Sequence, residues 1–252
     1  MAKRHVSTAR RMPDPKPQPS SLTASEYERA RRALMRRDPV LKGVIKRIGP
    51  CGMAERQRPD HLAALVSAIL SQQLSTKAAA TIFGRFVALF PDGDLRASAI
   101  ATKSDEALRG VGLSGQKVGY LRDLSARIID GRLQLDELEA LPDEHVIERL
   151  TAVKGLGRWT AEMFLMFRLH RPDVLPAGDL GIVNAIIRLY GLRKRPDAKR
   201  ILKMGEAWRP YRSVASWYLW QSLKPGARGL SSEARGPRPE ARGPRPDVRP
   251  EL

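Results

Sequence analysis

Cysteine is almost absent: Cys51 stands alone in 252 residues. One thiol cannot close an internal disulfide, nor supply the four cysteines of an iron-sulfur cluster or a structural zinc. No metal is therefore implied by cysteine. Long apolar runs are missing too. Nothing approaches the roughly 20 residues of a membrane-spanning helix, which argues against a membrane partner. The opening stretch MAKRHVSTARRMPDPKPQPS is basic but has no apolar core behind it, so it does not read as a secretory leader, and an intracellular location is expected. Strict alternation of apolar and polar residues, the mark of a half-buried strand, is hardly found. Acidic residues are scarce, at 27 against 45 Lys and Arg, for a net charge of +18.

That excess is not confined to the ends. Residues 1–20 hold five positive and one negative charge and residues 224–252 hold seven and four, which leaves +11 on residues 21–223. A folded unit this basic suits a polyanion, because cations that neutralise phosphates release condensed counterions. Both ends read as disordered tails. The second repeats EARGPRP at 233–239 and 240–246 among Pro, Gly and charge. Between them, apolar residues recur at helical spacing, as in Leu62, Leu65, Val66, Ile69, Leu70 and in Val118, Leu121, Leu124, Ile128. Helix-start signals precede such runs at Asp60, at Ser104 and at Pro142 with Asp143. The expectation is an all-α fold of about ten helices joined by short loops.

One of those loops is unusual. VKGLGRWTA places Gly155 and Gly157 between a helix ending near Leu150 and another starting near Arg158. Glycine leaves the backbone uncovered, and N–H groups at a helix N-terminus attract anions. Spacing alone favours a plain turn between two helices. Lys154 and Arg158 beside the glycines shift the balance toward a phosphate cradle.

LTAVKGLGRWTA resembles the helix-hairpin-helix motif, and VLPAGDLGIVNAI (174–186) resembles the Gly/Pro-rich loop and aspartate of the DNA glycosylases that carry it. With ILSQQLSTKAA (69–79) and EAWRPYRSVASWYLW (206–220), the pattern over about residues 22–223 is similar to the 3-methyladenine DNA glycosylase II family. The resemblance implies an all-α, two-lobed fold: one lobe at 60–175, the other made of 21–59 plus 176–223, with the pocket between them.

It also implies that Asp179 is the catalytic carboxylate. Breaking a base–deoxyribose bond builds positive charge on the sugar, which a fixed carboxylate stabilises while it places or deprotonates water. Read from its residues alone, Asp179 is an N-cap for the apolar run that follows it. The two roles are compatible, since a helix N-terminus favours negative charge.

Relatives that also cut the strand place a lysine where Trp159 stands, so the resemblance implies hydrolysis alone, leaving an abasic site. Lys154, Gly155, Leu156, Gly157 and Arg158 become phosphate contacts. Trp159, Tyr211 and Trp208 become the aromatics of a base pocket, whose electron-rich faces suit a cationic alkylated purine. Of the other aromatics at helical spacing, Trp217, Tyr218 and Trp220 read as core. GVGLSGQK (110–117) matches the loop that fills the gap left by a flipped nucleotide, with Leu113 and Ser114 as candidates and Gly115 where other members carry bulk. Gln72 and Gln73 are either contacts to that gap or an ordinary polar break between helices.

No cofactor is required on this reading. A structural Na+ or K+ on the backbone carbonyls of Thr151, Val153 and Leu156 is implied by the resemblance only. The partner would be duplex DNA carrying damaged bases, bound by a monomer located with the chromosomal DNA: in the cytoplasm, or in the nucleus of a eukaryote. Three functions stay open. They are hydrolytic removal of alkylated purines such as 3-methyladenine and 7-methylguanine, the same chemistry on deaminated or oxidised bases, and damage binding without turnover.

Overall fold

The computed structural model describes residues 22–53, 60–90, 93 and 95–225. The expected disordered tails lie outside that set, apart from residues 224 and 225. Twelve α-helices and no strand occur among the described residues. None is long and apolar enough to cross a membrane.

The helix starts follow from polar residues that accept from otherwise unpaired N–H groups. Thr23 and Glu26 form a reciprocal capping box at α1 (Ala24–Arg37). Asp38 caps α2 (Pro39–Ile48), where Pro39 sits in the first turn, at a position whose N–H would find no partner within the helix. Asp60 caps α3 (His61–Ser71) and Ser75 caps α4 (Thr76–Val87). Ser104 caps α6 (Asp105–Gly110), which follows the short α5 (Ala97–Thr102). Ser114 caps α7 (Gly115–Ile129). Helix α8 (Asp143–Thr151) and α9 (Arg158–Phe167) flank the two-glycine loop, and neither has a side-chain cap. Asp179 caps α10 (Leu180–Tyr190) and Asp197 caps α11 (Ala198–Gly205). A 3-10 turn, Glu206–Trp208, leads to α12 (Arg212–Ser222).

Packing is densest within two sets of helices. Helices α3 to α9 lie against one another, as in α3 with α4, α7 and α9, α5 with α7, and α8 with α9. The chain ends form the other set, with α12 against α1, α2 and α10. One apolar cluster runs through both, including Leu34, Leu41, Ile69, Leu121, Leu165 and Ile186. Each such side chain contributes about 1.5–3 kcal/mol when fully removed from water.

One buried carboxylate ties the second set together. Asp38 Oδ1 accepts from the N–H groups of Val40 and Leu41, while Oδ2 accepts from the Tyr190 hydroxyl at 2.6 Å and the Trp208 indole at 2.8 Å. Trp208 is only 1% exposed. Its expected place in a base pocket is thereby corrected: its ring is core and its N–H completes a buried polar network.

Candidate active site

Asp179 meets three N–H donors. As the cap of α10 it accepts from Ile182 N at 2.8 Å on Oδ1. Two indoles complete the set: Trp220 Nε1 donates to Oδ1 at 2.8 Å and Trp159 Nε1 to Oδ2 at 2.7 Å. The carboxylate is thus fixed by α9, α10 and α12 at once. Its position is set by side chains that arrive from 20 residues before and 41 residues after it.

Trp220 is the functional candidate that sequence reasoning missed. Its helical spacing with Trp217 and Tyr218 groups it with the core, and those two are indeed buried. Trp220 itself is half-buried and stacks on Phe167 with ring centroids 5.9 Å apart. A legible trace was the glycine at 181. A Cβ there would lie 2.8 Å from the Trp220 ring and 3.0 Å from Asp179 Oδ1, so only glycine lets the indole reach the carboxylate.

Trp159 stands 53% exposed at the start of α9, between two cavities. One, of about 400 Å³, is largely apolar and lies between α3 and α9, with Ala68, Gln72, Gln73, Met163 and Phe167 among its walls. The other, of about 520 Å³, holds Asp179, Glu162, Leu180 and Leu202. Both volumes lie in the range of small-ligand sites. Glu162 faces the second cavity beside Asp179. Burial lifts its carboxyl above the usual range, against the pull of Arg158.

The glycine loop is held from two sides. Gly155 has φ of +83°, and a Cβ on it would overlap the Tyr120 ring. Its carbonyl accepts from Gln72 Nε2 at 2.7 Å. Lys154 N donates to Asp123 Oδ2 at 2.8 Å. Burial alone would raise the Asp123 carboxyl, but that N–H and the Arg127 guanidinium hold it below its ordinary value. Gly157 opens α9 with no side chain to cap it, so the first N–H groups of the helix have no partner within it. The Lys154 side chain is exposed, whereas Leu156 and Val153 are buried under the loop.

Gln72 and Gln73 are more than a polar break. Lys117, absent from the sequence reading, donates its ammonium to the carbonyls of Leu70 at 2.7 Å and Gln72 at 2.9 Å, and burial pulls it below the usual lysine range. Gln73 has φ of +59°, a left-handed conformation costing a side-chain-bearing residue about 1–2 kcal/mol. Strain of this kind gathers where a site dictates backbone direction.

Other expectations are corrected. Leu113 is 5% exposed and belongs to the core, so it is not a free wedge. Ser114 accepts from Lys117 N as the cap of α7. Tyr211 is half-buried against the core and lines neither cavity at Trp159. Arg158 is committed to carboxylates, with Glu144 at 2.7 Å and Glu162 at 3.2 Å. Among the described residues no group of three or more His, Cys, Asp or Glu could hold a metal.

This arrangement of helices, with an uncapped glycine hairpin and a helix-capping aspartate meeting at one tryptophan, defines the class as a helical DNA glycosylase fold. The chain matches a DNA-3-methyladenine glycosidase from Bacillus halodurans with a TM-score of 0.69 and 39% identity, over 79% of this chain and 91% of the other. It matches the 3-methyladenine DNA glycosylase Mag1 of Schizosaccharomyces pombe, solved in complex with abasic DNA, with a TM-score of 0.67 and 36% identity over 77% and 96%. In sequence, DNA-3-methyladenine glycosylase 1 of Schizosaccharomyces pombe is 39% identical over 188 residues, covering 73% of this chain and 82% of the relative. The HhH-GPD superfamily base excision DNA repair protein model matches residues 66–210. The chain belongs to that superfamily.

Proposed function

We infer that the protein is a DNA N-glycosylase that excises alkylated bases in base excision repair, and that it does so by hydrolysis, leaving an abasic site. The observation that carries the reading is the Asp179 carboxylate held by Trp159 and Trp220 at the edge of a cavity. As the bond to the base lengthens, positive charge develops on the deoxyribose. A carboxylate already oriented by three N–H donors stabilises that charge without reorganising, and its oxygens can place or deprotonate the attacking water.

The substrate must leave the helical stack to reach Asp179. Trp159, which lines both cavities, offers an aromatic face to it, and a methylated purine with a delocalised positive charge gains most from such a face. This favours 3-methyladenine and 7-methylguanine over deaminated or oxidised bases. The strained turn at Gln73 points to this loop, rather than Leu113, as the element that fills the vacated stack. The unpartnered N–H groups at Gly157, together with exposed Lys154, suit a DNA phosphate. Hydrolysis without strand cutting follows from Trp159, which has no amine to attack the sugar.

An alkali ion on the hairpin fits the donor chemistry. The carbonyls of Thr151, Val153 and Leu156 are neutral oxygens, and the bond from Gln72 falls on Gly155 instead. The Val153 carbonyl already accepts from Leu156 N, leaving one lone pair. Such an ion would neutralise phosphate charge at the hairpin. The protein acts as a monomer in the compartment that holds the chromosome.

Release of methylated bases from methylated duplex DNA, compared between wild type and Asp179→Asn, tests the reading. The substitution should slow release at least about 100-fold while binding to an abasic duplex persists. Equal rates would remove Asp179 from the mechanism, and binding without release by the wild type would leave a damage-binding protein. A panel of alkylated, deaminated and oxidised oligonucleotides separates the substrate classes.

A further inference from the structure

The basic character of the chain is not spread evenly. Between Gly191 and Gly205 the sequence GLRKRPDAKRILKMG carries Arg193, Lys194, Arg195, Lys199, Arg200 and Lys203 against the single acid Asp197. All six cations are exposed. Several arginines elsewhere are paired with carboxylates, as in Arg122 with Asp105, Arg127 with Asp123, Arg132 with Asp130 and Arg209 with Asp173. These six side chains make no ion pair among the described residues.

Their position gives the cluster a meaning. Helix α11 turns Ala198 and Leu202 toward the cavity that holds Asp179, while Lys199, Arg200 and Lys203 remain in solvent around it. The charged groups lining that cavity are Asp179, Glu162 and Arg158, and Arg158 is already bound to Glu144 and Glu162. A polyanion brought up to Asp179 thus meets a lining of net negative charge. Attraction must come from the flank, within a Debye length of about 10 Å at 0.1 M salt. Three of the exposed large apolar side chains, Trp159, Leu180 and Leu202, rim the same cavity and could meet the apolar faces of deoxyribose.

We propose that the segment from Arg193 to Lys203 is a second phosphate-contact surface for duplex DNA, separate from the glycine hairpin, with the Asp179 cavity between the two. The proposal rests on DNA being the partner but not on turnover. Cations free of internal partners give up no ion pair when they bind phosphate, unlike Arg158. Their contribution is independent of base sequence and steeply dependent on salt.

The test measures binding of the full chain to an undamaged duplex across a range of KCl concentrations. One variant carries Arg193→Gln, Lys194→Gln and Arg195→Gln; a second carries Lys199→Gln, Arg200→Gln and Lys203→Gln. A control of equal charge loss carries Arg29→Gln, Lys42→Gln and Lys46→Gln, exposed on α1 and α2. Each lost phosphate contact lowers the slope of log K against log salt by about 0.9, so either test variant should lose roughly 1–3 in slope and bind at least about tenfold more weakly at low salt. The control should keep the wild-type slope. Slopes that fall equally in test and control variants would reduce the cluster to bulk charge and overturn the proposal, as would test variants that bind like wild type. Circular dichroism and an unchanged Tm exclude misfolding. Should the wild type release no base from any substrate, the glycosylase reading fails while this binding comparison still decides the surface.

Discussion

At the scale of single residues, the site is governed by who donates to which carboxylate. Trp220→Phe keeps the stack on Phe167 but deletes the N–H that reaches Asp179 Oδ1. A hydrogen bond to a charged group is worth about 1.5–3 kcal/mol, so Tm should fall by several degrees, and single-turnover base release should fall at least about tenfold as the carboxylate loses its orientation. A rate equal to wild type would show that the two remaining donors suffice. Gly181→Ala attacks the same contact from the other side, because its Cβ would displace the indole. Asp123 gives a pH-dependent counterpart. Its carboxyl is held below the ordinary value in the folded protein, so its stabilisation is present above the unfolded value of about 4 and is lost as pH falls through the lower folded value. Protection of the Lys154 amide, whose N–H that carboxylate accepts, should therefore fall in acid when its hydrogen exchange is compared with the intrinsic rate at the same pH, and should already be low at neutral pH in Asp123→Ala.

At the scale of elements, the turn between α3 and α4 and the hairpin between α8 and α9 behave as one unit. Lys117 of α7 holds the carbonyls of Leu70 and Gln72, and Gln72 in turn holds Gly155. Gln73 bears the strain of that junction. Gln73→Gly should relieve about 1 kcal/mol, raising Tm by about 2–4 °C in a domain of this size, while base release slows because a side chain lining the apolar cavity beside Trp159 is gone. A variant that gains stability and keeps full activity would make the strain incidental. Loop pairing of this kind leaves little trace in local spacing. Helix starts were legible one by one at Asp60, at Ser104 and at Pro142 with Asp143 because a start signal concerns a few consecutive residues, whereas Lys117 acts across 45 positions.

At the scale of the whole molecule, two sets of helices share one apolar core, and the hairpin, Asp179 and the cations of α11 lie where α9 meets α10 and α11. A ligand bound only by the folded state stabilises it by mass action, at about 2.7 kcal/mol when present at one hundred times Kd. A duplex with an abasic site should accordingly raise Tm by several degrees at low salt, and the shift should shrink as KCl is added. A Tm indifferent to the duplex would contradict DNA binding by the folded chain. The pairing of arginines is also a whole-molecule property: composition counts +18 but cannot tell a cation facing a carboxylate from one facing water.

The sequence by itself determined the helical class, the position of some caps, the glycine hairpin and Asp179, because each is written in neighbouring residues or in a short motif. It also determined that the residue after Arg158 is an aromatic and not an amine. Tertiary structure alone decided which aromatics matter. Trp208, which looked like a pocket residue, is sealed against Asp38, and Trp220, which looked like core, reaches Asp179. Both lie on the same short stretch at similar spacing. Their roles part only because α2 presents a carboxylate to one and α10 to the other, and helical periodicity gives the direction of a side chain but not what waits there.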